Sequence, residues 1–74
     1  MSNKINFAIY DSDGEPLVST GGKVLKWNNK YYACLQYCQL TKQSHGFIRA
    51  NLDKMAHKSE EFMRVNFKCT FVDI

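Results

Sequence analysis

The sequence predicts a small α+β domain: an antiparallel, mostly meander β-sheet with one amphipathic helix near the C-terminus packed on one face, then a final strand. Three observations carry this. Apolar residues alternate with polar ones over residues 5–10 and again over residues 63–71, the period of a half-buried strand. Clusters of turn formers punctuate the N-terminal half. Apolar residues then recur at steps of three and four over about residues 47–62, the stripe of a helix with one buried face. With 74 residues, 45% of them apolar and 14% aromatic, the chain reads as one folded domain spanning residues 1–74.

The elements follow in order. Ile5, Phe7 and Ile9 share one face of a first strand. Asp11-Ser12-Asp13-Gly14-Glu15-Pro16 is dense in turn formers, and Asp13-Gly14 suits a reversal that needs positive φ. Leu17–Thr20 is the returning strand, with Pro16 where a missing amide donor matters least. Lys23–Trp27 is a third extended run, and Asn28-Asn29 is a two-residue turn. Residues 31–38 fit two readings. Tyr31, Cys34, Leu35 and Cys38 make a helical stripe, whereas Tyr31, Ala33, Leu35 and Tyr37 make a strand face; the aromatic content and the preceding turn favour the strand. The helix over 47–62 carries Ile48, Leu52, Met55, Ser59 and Phe62 or Met63 inward. Its outer face, from Arg49 to Glu61, is mixed in sign. Met63, Val65, Phe67, Cys69 and Phe71 then alternate with Arg64, Asn66, Lys68 and Thr70 as the final strand.

Composition excludes several classes of function. No stretch approaches the roughly 18 apolar residues of a membrane helix, and Met1–Phe7 lacks the apolar core of a secretory signal. Three cysteines, an odd count, argue against a disulfide framework and for a reducing compartment. The expected localisation is therefore cytoplasmic. A chain this short suits a compact bacterial or phage genome, in which case the cytoplasm is the host's. The net charge of +3 favours acidic partners only slightly, short of a dedicated nucleic-acid domain. A domain of this size buries only about 60% of its unfolded surface, so self-association would be a natural support.

No catalytic, cofactor-binding or metal-binding set is expected. Asp11, Asp13 and Glu15 bracket Gly14, but a calcium loop of the EF-hand type needs its glycine sixth and a glutamate twelfth; a plain turn explains them. Cys34 and Cys38 with His45 and His57 are the nearest approach to a zinc set. The histidines are too widely separated, and on a strand the cysteines would lie about 13 Å apart. They read as small buried hydrophobes. Ser19–Val24 has the look of a phosphate loop, yet Val24 stands where a Ser or Thr is required. A cysteine–histidine nucleophile has no local motif to orient it.

The informative segment is Lys23–Tyr32. With a turn at Asn28-Asn29, Trp27 would face Lys30, Leu25 would face Tyr32, and Lys26 would face Tyr31. One helix covers only one side of that sheet, so the other would expose aromatics beside lysines. The expectation is a small non-enzymatic regulatory or inhibitory protein. It would bind another macromolecule, in first place a protein, through Lys23, Lys26, Trp27, Lys30, Tyr31 and Tyr32. The alternative is single-stranded nucleic-acid binding by the same hairpin, with rings stacking on bases and lysines meeting phosphates.

Overall fold

Phe7–Tyr10 forms β1 in the computed structural model of the protein, which describes residues 6–74; the expected strand start at Ile5 lies outside the described residues. Beyond Tyr10 the chain reverses as its residue types dictate. Asp11 Oδ1 accepts the backbone N–H groups of Asp13 at 2.9 Å and Glu15 at 3.0 Å, and Gly14 takes φ +79°, a conformation that costs glycine little. The return is less regular than expected. Leu17 N–H donates to the Ile9 carbonyl at 2.8 Å, but residues 16–27 contribute only isolated bridges: Tyr10 with Pro16, Val18 with Val24, and Phe7 with Trp27.

The second regular strand is β2, Thr70–Asp73, antiparallel to β1 with Ile9 opposite Phe71 and Phe7 opposite Asp73. The sheet therefore joins the two ends of the described chain. A meander of four N-terminal strands is not what forms. β1 lies between β2 and the bridged 16–27 segment.

Residues 31–38 are helical. Lys30–Leu40 forms α1, and Asn29 is its N-cap, with its side chain accepting the N–H of Tyr32 at 3.2 Å. Asparagine supplies this oxygen well, so Asn29 starts a helix and not the expected hairpin turn. The Lys23–Tyr32 hairpin and its cross-strand pairs are absent for that reason. On α1, Ala33, Cys34 and Cys38 are buried together, four-residue spacing having brought the two cysteines to one face.

The single helix expected over 47–62 is instead three short ones: α2 (His45–Ala50), α3 (Leu52–His57) and α4 (Ser59–Phe67). Ser44 caps α2 through its hydroxyl, which accepts Phe47 N–H at 3.1 Å. The breaks fall at Asn51 and Lys58. A straight helix of that length would run about 24 Å with one stripe; broken twice, it brings Phe47, Met55 and Phe62 to one core. Residues 63–67 belong to α4 and not to a strand. The chain leaves α4 through Lys68 in the left-handed region, φ 56°, and only then enters β2.

The core consists of Phe7 and Ile9 from β1, Ala33, Cys34 and Cys38 from α1, Met55 from α3, Phe62 and Met63 from α4, and Cys69. Phe67 meets Tyr37, Phe47 and Phe62 with ring centroids 4.8, 6.1 and 5.7 Å away, distances at which edge-to-face contacts add to burial. The architecture is two layers, helices on one face of a two-stranded antiparallel sheet. Among the described residues no helix is long and apolar enough to cross a membrane.

Candidate partner-binding surface

The six residues expected to bind a partner fall in two places. Lys30 and Tyr31 open α1 and line a groove of about 630 Å³ that also takes in Asn28, Asn29, Ser59 and Asp73. Tyr32 follows them on the helix, 60% exposed, with its ring 5.7 Å from that of Tyr31. Lys23 and Lys26 are exposed on the extended segment before α1. Trp27 stands between the two groups. It is half-buried against the core, exchanges both backbone hydrogen bonds with Phe7, and donates its indole N–H to Gln36 Oε1 at 2.6 Å.

Capping explains why the groove forms at this end of α1. Asn29 holds the first turn, and the turn directs Lys30 toward α4 and β2 together. The Lys30 ammonium pairs with the Glu60 carboxylate and lies 5.8 Å from the centroid of the Phe71 ring, within the range of a cation–π contact. The hydrogen bond from Lys30, then its charge, hold the Glu60 carboxyl below its ordinary range. Tyr31 packs partly inward and lines the groove, whereas Tyr32 beside it on α1 is exposed. The combination is one exposed phenol, a half-buried phenol, a cation and several amide groups.

The groove residues Asn28, Asn29, Ser59 and Asp73 were not foreseen. In the sequence pattern Asn28-Asn29 has the look of a turn, and Ser59 falls in an inward helical stripe. An asparagine followed by a Tyr-rich stretch with 3.6 periodicity was the available signal, since it is also a helix start.

The other clusters settle differently. Cys34, Cys38 and Cys69 are free and buried. Burial, and next the neighbouring Cys38, push the Cys34 thiol up to about 12; burial also raises Cys38. Such thiols are poor nucleophiles. Tyr37 is raised as well, first by burial and then by its hydrogen bond with Cys69, whose Sγ is 3.5 Å from its hydroxyl. His45 and His57 are both exposed on helices, and no group of three His, Cys, Asp or Glu side chains among the described residues is placed to hold a metal ion.

Comparison with known proteins found no family model, no curated protein and no solved structure that matches the chain. Its function is therefore argued from its own residues.

Proposed function

We propose that this is a small non-enzymatic regulatory or inhibitory protein that binds another protein at the N-terminal end of α1. The observation that carries the reading is Tyr32, 60% exposed and next along α1 to Lys30 and Tyr31, which line the groove. Exposed tyrosine in a polar setting is characteristic of interface hot spots, where the ring contributes apolar area and the hydroxyl a hydrogen bond. Lys30 sets orientation, and Lys23 and Lys26 add a positive field that steers an acidic partner without needing direct contact. Trp27 supports the site from beneath, holding the chain that leads into Asn29.

Two measurements on the same protein test this. Affinity capture with wild type and Tyr32→Ala, compared quantitatively, should identify a protein held by the wild type and reduced at least about tenfold by the variant. Anisotropy of labelled single-stranded DNA and RNA at two salt concentrations should show no binding. Micromolar nucleic-acid affinity with a log–log salt slope of roughly −2 to −3 would replace the protein partner with a nucleic acid.

A further inference from the structure

The sheet has a second face, and the helices do not cover it. Side chains alternate along a strand, so Phe7 and Ile9, which belong to the core, point toward the helices, while Ala8 and Tyr10 point away. Their register partners Val72 and Thr70 point away with them. Ile74, tied to β1 by its N–H on the Asn6 carbonyl at 3.0 Å, continues that face. On the other flank Tyr10 is bridged to Pro16, and Val18, two residues on, is bridged to Val24; directly opposed residues share a face. Trp27 lies opposite Phe7 on the helix side, so Lys26 turns outward.

This outer face collects Val18, Val24, Val72 and Ile74, exposed by 45%, 37%, 38% and 55%. The other large exposed apolar side chains of the described residues, Tyr32, Leu40 and Val65, are dispersed over α1 and α4. Ala8, on β1 between the two flanks, is fully buried. The face is also polarised. The turn beyond Tyr10 carries Asp11, Asp13 and Glu15, whereas Lys26 stands next to Trp27, opposite Phe7 where β1 begins.

We infer that this face is where two copies of the chain associate, back to back, about a two-fold axis that lies in the interface and crosses β1 at right angles. Charge complementarity selects both the occupant and the axis. Such an axis reverses the strand direction of the second copy, setting the acidic turn of each protomer over Lys26 of the other while valine meets valine between them. An isologous interface needs this self-complementarity, and an axis parallel to the strands would set like charges together. The patch is small, so the dimer is a micromolar one. The face is separate from the α1 groove, which stays open in the dimer.

Sedimentation equilibrium of the full chain from about 10 to 500 µM brackets a dissociation constant of that order. The mass should climb from 8.6 kDa toward twice that value. Val18→Asp should hold it at the monomer, while Val65→Asp, on α4, should leave dimerisation intact. Lys26→Glu should weaken the dimer roughly three- to tenfold, with Glu15→Lys added to it restoring the affinity. Concentration-dependent amide shifts of the wild type, which need no variant to fold, should centre on residues 18, 24, 72 and 74. A wild type that stays monomeric throughout would overturn the inference, as would shifts that map to Tyr32 and α1.

Discussion

The Trp27 indole N–H donates to Gln36 Oε1 at 2.6 Å, joining the extended segment before α1 to the helix's second turn. The same residue's backbone is locked to Phe7 by two hydrogen bonds, 2.9 and 3.0 Å. Trp27 thereby fixes the angle at which the chain enters Asn29, and with it the position of Lys30 and Tyr31 at the groove.

Trp27→Ala should destabilise the fold by about 2–4 kcal/mol, since it removes a large half-buried ring as well as the bond. Gln36→Ala should cost about 0.5–1 kcal/mol. Urea denaturation of the two single variants and the double variant separates the shared hydrogen bond from the packing, and the double variant should cost less than the sum.

Asn29→Ala should cost about 1 kcal/mol by removing the α1 cap, and Ser44→Ala a similar amount at α2. The two losses report differently. Amide exchange should quicken at Tyr32 and Ala33 in the first variant and at Phe47 and Ile48 in the second.

Lys68 turns the chain from α4 into β2 with φ 56°, a conformation that L residues adopt at a cost. Lys68→Gly should therefore stabilise the protein by about 0.5–1 kcal/mol. Thermal melts of variant and wild type compare this directly.

The Cys34 thiol is held protonated in the fold, its value raised from 9.0 to about 12 mainly by burial. Above the unfolded value the unfolded chain loses this proton and the folded chain keeps it, so stability is fully present below pH 9 and declines as pH rises toward 12. Cys34→Ala should flatten that alkaline decline in urea midpoints measured at a series of pH values. The thiols should also react with alkylating reagents far faster in urea than in the native protein.

Which parts were legible in the sequence follows from where two periodicities agree. Phe7–Tyr10 and the Asp11–Glu15 reversal were readable because alternation and turn chemistry each admit one interpretation there. Residues 63–71 were not. Met63 and Phe67 are two strand repeats apart and also four helical residues apart, so both patterns put them on one face. Val65 is the residue that separates them, inward for a strand, and it is 68% exposed. Asn29 was ambiguous for a similar reason, since asparagine serves both tight turns and N-caps. Within the site, the sequence singled out Lys30, Tyr31 and Tyr32 as neighbours along the chain. It could not show that Asn28, Ser59 and Asp73 close a groove with them, because that depends on the two breaks in the 45–67 region and on β2 returning beside β1.

The measurement that tests the account most directly is site-specific photo-crosslinking in cells, with the photoreactive residue at position 32 and, as control, at position 65 on α4. The account predicts a discrete protein adduct at position 32, none at position 65, and loss of the adduct when Lys30→Glu is added. Equal labelling at both positions, or an adduct at position 32 that is nucleic acid, would contradict it.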